Sequence, residues 1–429
     1  MKNKMEETTK RALEPRLRFP EFRDAGEWEE KQLHLIAKSV SDKASDKNND
    51  NILTLSGEHG LVLQSDYFGK KIAGDNVERY IRIALNDFVY NDRTTKLSVY
   101  GSIKRLSKYE SGIVSPIYKC FRFGAGENPV FWDWYFESGF HETQLHSLVN
   151  EGARAGRFNI SIEKFLSTLV WYPGPAEQQK IADCLSSIDE LLAAEAQKLD
   201  TLKTHKKGLM QQLFPSEGET LPKLRFPDFG DAGEWCNDSL GEIFETTSGG
   251  TPSRSTKEYW NGNIPWITTS LVDFNVIYKS DEFISAKGLE SSSAKVFPKG
   301  TVLIAMYGQG KTRGKVAILG IEAATNQACA AILPKKEIDP AFVFLNLGNR
   351  YDEMRELSNS GGQENLSQGL IRELPFSFPQ DIAEQHKVAD CLSSIDELLA
   401  AQTQKLDTLK AHKNGLMQQL FPSLDEVQG

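Results

Sequence analysis

The sequence predicts an α+β protein. Two mixed α/β modules are each followed by a long helix, and the helices form an antiparallel coiled coil within a pseudo-twofold repeat at an offset of 207 residues. Three observations predict this. Short segments recur: 15–22 (PRLRFPEF) returns as 222–229 (PKLRFPDF), and 24–28 (DAGEW) as 231–235. A longer stretch, 184–216, returns as 391–423 with 29 of 33 positions identical, the differences being Glu195/Gln402, Ala196/Thr403, Thr204/Ala411 and Lys207/Asn414. Between the matched pieces, 29–173 and 236–379 share little and are dense in turn signals and short β-branched runs.

In chain order, residues 1–28 form an N-terminal segment that repeats at 208–235. The first module, 29–173, carries strand-like runs at Ile52–Leu55, Phe88–Tyr90 and Ile113–Phe121 and a helical stretch from Trp132 to Asn150. A first long helix occupies 174–215, framed by Pro173, Pro175 and Pro215, and a linker covers 216–235. The second module, 236–379, has strand-like runs at Ile264–Thr269, Thr301–Ala305 and Val316–Leu319 and a helical stretch from Pro340 to Leu357. Pro379 and Pro422 frame the second long helix, 380–422, and a short tail, 423–429, follows.

Both helices carry apolar residues at a seven-residue period. In the first, Ile181, Ile188, Leu202 and Leu209 take one seam position and Leu185, Leu192, Leu199 and Leu213 the other. Val388, Ile395, Leu409 and Leu416, with Leu392, Leu399, Leu406 and Leu420, repeat this in the second. Such a pattern suits a coiled coil, and its bland alternative is burial against a module core. Polar residues interrupt each seam: Glu195 and Lys206, then Gln402 and Lys413. An antiparallel register setting Glu195 opposite Lys413, Lys206 opposite Gln402 and Leu199 against Leu409 avoids burying a lone charge.

Composition is that of an ordinary soluble protein, and no apolar run is long enough for a membrane span. The N-terminus lacks the apolar stretch of a secretory signal. The five cysteines are scattered without a CxxC pair, so a reducing cytoplasm is the expected compartment. A net charge of −9 disfavours a surface that clings to nucleic acid everywhere. The modules themselves are nearly balanced, with 18 basic and 18 acidic residues in 29–173 and 14 and 16 in 236–379.

Polar loops with neighbouring aromatics supply candidate DNA contacts, because Arg and Lys suit phosphate or guanine, and Asn and Gln suit adenine. In the first module they are Arg93, Thr94, Lys96, Tyr100, Lys104, Arg154, Arg157 and Asn159. In the second they are Ser253, Arg254, Ser255, Lys257, Trp260 and Thr268, then Tyr307, Gln309, Lys311 and Arg313. Asn326, Gln327, Gln363 and Asn365 complete the set. Residues 305–312 (AMYGQGKT) mimic a phosphate-binding loop, but a glycine-interrupted β-branched run follows where that motif needs a helix. No metal-ligand spacing, nucleophile elbow or other catalytic constellation appears.

The sequence resembles the specificity subunit of type I restriction-modification systems. The resemblance rests on 249–253 (GGTPS), Tyr259-Trp260, 264–267 (IPWI), 298–301 (PKGT), 314–317 (GKVA), 325–327 (TNQ), 365–367 (NLS) and 384–389 (EQHKVA). In the first copy it rests on 159–161 (NIS) and 177–182 (EQQKIA), and the Gly-Gly-Thr-Pro loop is missing there. It implies a non-catalytic DNA reader with two target recognition domains, each reading half of a bipartite asymmetric target. It also implies two methyltransferase subunits carrying S-adenosylmethionine, and restriction translocase subunits using ATP and Mg. No cofactor is expected on this chain. The alternatives are a coiled-coil scaffold, a solitary regulatory specificity subunit, or an enzyme binding nucleotide at the Gly310-Lys311-Thr312 loop.

Overall fold

A computed structural model describes residues 12–44, 51–69, 77–94, 98–148, 159–216, 218–308, 311–359 and 365–421. The chain divides into two compact units, Met1–Glu195 with Lys405–Gly429, and Ala196–Gln404.

In the first unit, Trp28–Gln32 pairs antiparallel with Ala12–Leu13 and with Leu169–Tyr172. Eight further strands build two sheets. They are β1 (Ala37–Ser39), β2 (Ile52–Ser56), β3 (Gly60–Leu63), β4 (Ile81–Ala84), β5 (Phe88–Asn91), β6 (Ser102–Arg105), β7 (Ser111–Val114) and β8 (Lys119–Phe123). One sheet runs β1-β8-β5-β6, all antiparallel; the other runs β3-β2-β7-β4, with β2 and β7 parallel. Phe88, Val89 and Tyr90 are buried on both faces of β5, which explains their unbroken apolar run. The run expected over Ile113–Phe121 splits at Pro116, which has no amide to give a ladder. The helical stretch expected from Trp132 splits likewise into Pro129–Glu137 and Glu142–Leu148, around Gly139 at φ +76; Asn150 lies outside the described residues. The core is aromatic, with Phe88 stacked on Phe121 at 5.4 Å and Tyr90 on Phe165 at 4.8 Å.

The second unit repeats this plan. Its strands are β9 (Thr246–Ser248), β10 (Trp260–Ile267), β11 (Asn275–Ile277), β12 (Glu282–Ile284), β13 (Val296–Phe297), β14 (Val302–Ala305), β15 (Val316–Leu319), β16 (Ala323–Thr325) and β17 (Cys329–Ile332). One sheet runs β9-β17-β14-β15-β11 and the other β12-β10-β16-β13, with β10 and β16 parallel. Order and direction match the first unit strand for strand, with β11 added at an edge. Two helices, Pro340–Asn349 and Tyr351–Asn359, occupy the stretch expected to be one, and the Asp339 carboxylate caps the first by accepting from the Ala341 amide at 3.2 Å.

The long helices span Pro175–Leu213 and Ile382–Leu420. Every apolar seam residue is buried or half-buried, while Leu191 and Leu398, off the seam, are exposed. The ends of the helices belong to the module cores. Ile181, Ala182 and Leu185 join Leu420 and Phe421 in the first unit's core; Leu213 and Phe214 join Val388, Ala389 and Leu392 in the second's. In the first unit Lys413 Nζ donates to Asp189 Oδ1 at 2.6 Å and Lys405 to Glu195 at 2.5 Å; in the second Lys206 meets Asp396 at 2.6 Å. Direction is antiparallel within each unit. The expected register, with Glu195 against Lys413 and Lys206 against Gln402, is therefore wrong by about a heptad. Burying each helix end in a module core outweighs matching the polar seam residues, and Asp189 and Asp396 supply the carboxylates instead.

One clip, built twice, joins the repeated segments. Arg18 donates through Nε and Nη2 to the Glu177 carboxylate at 2.8 Å each, and through Nη1 to Gly26 O at 2.5 Å. Arg225 does the same to Glu384 at 2.7 Å and to Ala232 O at 2.6 Å. Bonding to these buried carboxylates pushes both guanidinium pKa values up. The neighbouring glutamines seat a module helix: Gln178 Oε1 accepts from the Asn128 amide at 3.0 Å, and Gln385 Oε1 from the Asp339 amide at 2.8 Å. The Glu-Gln pairs of 177–178 and 384–385 are thus structural. No helix among the described residues is long and apolar enough to cross a membrane.

Candidate nucleic-acid interface

Strand register gathers the polar loops of the second module at one edge. Ser248 at the end of β9 faces Ala330, Cys329 at the start of β17 faces Ala305 at the end of β14, and Ile304 faces Val316 at the start of β15. The chain leaving or entering these strands therefore emerges on the same side: the loop after Ser248, residues 306–308 and 311–315, and residues 326–328. The second sheet adds residues 268–274, because β10 and β16 run parallel and end together at Ile267 and Thr325.

The loop after Ser248 is held rigidly. The Gly250 amide donates to Thr325 O at 2.9 Å, Trp266 Nε1 to Gly250 O at 3.0 Å, and Trp260 Nε1 to Ser253 O at 3.0 Å. A Cβ on Gly249 would lie 2.0 Å from Thr325 O, and one on Gly250 2.4 Å from the Ser293 carbonyl carbon. Only glycine permits that approach. Thr251 Oγ1 donates to Gln327 Oε1 at 2.5 Å, tying the loop to the turn before β17.

On this platform stands Arg254. Its guanidinium lies 3.8 Å from the Trp260 ring centre and 4.9 Å from that of Trp266, and it forms an exposed ion pair with Glu282. Ser253 and Ser255 join hydroxyls at 2.9 Å beside it, and Lys257 is exposed nearby in sequence. Glu282 carries no local sequence signal. It reaches Arg254 because β12 sets it directly across from Trp266. Trp266 is the second residue the candidate set missed, although its motif was visible.

The remaining candidates divide by what they touch. Tyr307 and Lys311 are exposed on the 306–315 loop, and Lys311 O accepts from Tyr351 Oη at 2.6 Å. Gln327 and Asn365 are exposed, whereas Asn326 is half-buried and uses its Oδ1 to hold the Ala328 amide at 3.1 Å. Thr268 is half-buried, its hydroxyl 2.5 Å from that of Ser270. Arg313 corrects the expectation of a base contact. It is only 8% exposed, packed beneath the loop with its carbonyl facing Arg355, so the side chain is inside rather than at the surface. Gln309 and Gln363 lie outside the described residues. The mimic of a phosphate-binding loop starts at the end of β14, and among the described residues strand β15, not a helix, follows it.

In the first module, Arg93, Thr94 and Tyr100 lie on the loop between β5 and β6, which corresponds to the 306–315 loop between β14 and β15. Arg93 is exposed, Thr94 is half-buried, and Tyr100 is half-buried with its carbonyl accepting from Tyr90 Oη at 2.9 Å. Lys104 sits on β6 and is neutralised by Glu137 at 2.5 Å, so it is turned toward a helix. Asn159 is exposed, with φ +53, two residues ahead of Ser161, whose hydroxyl caps Ile162–Leu166. Lys96, Arg154 and Arg157 lie outside the described residues.

Residues 233–411 match the type I restriction modification DNA specificity domain. The Type I restriction enzyme MjaIX specificity subunit of Methanocaldococcus jannaschii is 29% identical over 182 residues, 41% of this chain and 41% of that one. The EcoR124I/EcoR124II specificity subunit of Escherichia coli is 28% identical over 178 residues, 40% of this chain and 43% of that one. The matches thus span less than half the length of these relatives. Two solved chains share the fold. One comes from work on complex assembly and conformational transition of the type I R-M system, with TM-score 0.58 and 18% identity over 92% of this chain and 98% of that one. The other is a type I restriction-modification S subunit from M. genitalium, with TM-score 0.53 and 16% identity over 96% and 100%. Residues 233–411 are thus similar to the type I restriction modification DNA specificity domain, and the chain shares the fold of these two solved chains across nearly its whole length.

Proposed function

We propose that this chain is the non-catalytic DNA-reading subunit of a type I restriction-modification complex. Its two modules are target recognition domains, 29–173 and 236–379, each reading one half of a bipartite asymmetric sequence. The single observation that carries this reading is the convergence of rigid, polar, cation-bearing loops on one edge of the second module, in a chain whose first module has the same strand order. Loops on a fixed scaffold are where binding residues belong. Candidates at that edge are Arg254, Ser253, Ser255, Trp260, Lys311 and Gln327, with Arg93 and Thr94 on the corresponding loop of the first module.

The long helices set the gap between the half-sites; 39 residues rise about 58 Å. Their near-identical outer faces suit two copies of one methyltransferase subunit, which would bring S-adenosylmethionine and place N6-methyladenine in the target. Restriction translocase subunits using ATP and Mg complete the assembly, and the complex acts in the cytoplasm. The test is sequencing of methylated adenines in host DNA with and without this gene. A bipartite motif that vanishes with the gene supports the reading, and an unchanged map refutes it.

A further inference from the structure

We propose that the Arg254–Glu282 pair reads a single G·C base pair in the major groove, with Arg254 on guanine and Glu282 on the paired cytosine. This deepens the DNA-reading proposal and rests on it.

Arg254 is 55% exposed and Glu282 37% exposed, and an ion pair so open to water does little for folding. The surroundings are nevertheless highly organised. Both indole N–H groups are committed to the loop backbone, and the rings themselves meet edge to face at 5.1 Å. The guanidinium carbon lies 3.8 and 4.9 Å from the two ring centres, so its position is set before any ligand arrives. Glycines 249 and 250 let the loop sit flush on residues 293–294 and 325, which removes slack from the mount. A phosphate contact needs none of this, because a flexible lysine serves as a point charge.

The neighbouring carboxylate decides between the two uses. Phosphate is an anion, and Glu282 beside Arg254 opposes its approach. Guanine O6 and N7 are neutral acceptors that match the two-pronged edge of a guanidinium, and cytosine N4 is a donor that a carboxylate accepts. An Arg and a Glu held side by side therefore present the complement of one G·C pair. Their mutual bond, with Arg254 Nη2 also 3.2 Å from Glu282 Oε1, holds both side chains in place until DNA arrives.

The test uses the full chain assembled with methyltransferase subunits and a pool of randomised duplexes, read by sequencing the bound fraction. The wild type is expected to select G·C at one position by about tenfold. Arg254→Lys keeps the charge and loses that preference at that position alone. Glu282→Gln loses it too, binds all duplexes more tightly, and steepens the salt dependence by about one phosphate. Replacing the selected guanine by 7-deazaguanine weakens the wild type and leaves Arg254→Lys unaffected. Matched melting curves establish that the variants fold. Selection unchanged in both variants overturns the proposal. So does Arg254→Ala weakening every sequence equally, with a shallower salt slope, which marks a phosphate contact. A wild-type complex that selects no sequence at all refutes the DNA-reading proposal itself.

Discussion

The two modules have the same strand order and nearly unrelated sequences. Eight strands correspond in order and direction, including the parallel pairs β2 with β7 and β10 with β16, yet the connecting loops differ in length and chemistry. The second module mounts Arg254 on a glycine platform between β9 and β10. The first has no such glycine pair between β1 and β2, and several of its described cations are paired: Lys104 with Glu137, Lys119 with Asp92, Arg122 with Asp87. The lesson is that the pattern of buried positions carries the architecture, whereas the loops are free to differ. By contrast the clip and the long helices, which hold each module in its unit, are nearly identical in the two copies.

The strongest test of that division is to exchange residues 29–173 for the corresponding module of a relative. One half of the methylated motif should change and the other remain, as read by genome methylation mapping; a change in both halves, or in neither, would break the comparison. Next in size is the clip. Glu177→Ala and Glu384→Ala each leave a half-buried arginine without its carboxylate, and each should cost about 3 kcal/mol in urea unfolding. Equal losses would sharpen the parallel between the units. A smaller effect belongs to the second module alone: Gly250→Ala forces its methyl into the Ser293 backbone and should cost about 1–3 kcal/mol, with a larger loss of sequence-selective binding. The smallest belongs to the first module. His141 is buried, which lowers its pKa from 6.5 to about 3, while residues 236–379 contain no histidine. The unfolded chain takes up a proton below pH 6.5 that the folded first module refuses. Its stability is therefore full above 6.5 and falls by up to about 1.4 kcal/mol per pH unit as pH drops toward 3. Unfolding at pH 6.5 and 5.0 should show this slope, and His141→Gln should remove it.

Much of this was legible beforehand. The repeat, the long helices, the apolar runs of β5, β14 and β15, and the turn-rich loops all declare themselves locally, because period and turn chemistry act over a few residues. Less legible were the partners of charged groups. Arg313 reads like Arg254, yet one is buried under a loop and the other stands in solvent. Glu282 reads like any surface acid, and its separation of 28 residues from Arg254 is bridged by the pairing of β10 with β12.

The helix register marks the same boundary. Heptad spacing determined that two amphipathic helices exist and which faces they bury, since each turn repeats the same local geometry. Tertiary structure decided which residues meet, because Leu213 and Leu420 fill the cores of modules distant in sequence, and that burial outweighs a few half-exposed ion pairs. Sequence by itself determined the elements and the class of chemistry in the loops. Only the packed chain decided which arginine is presented and which carboxylate stands beside it, because those are properties of long-range contact.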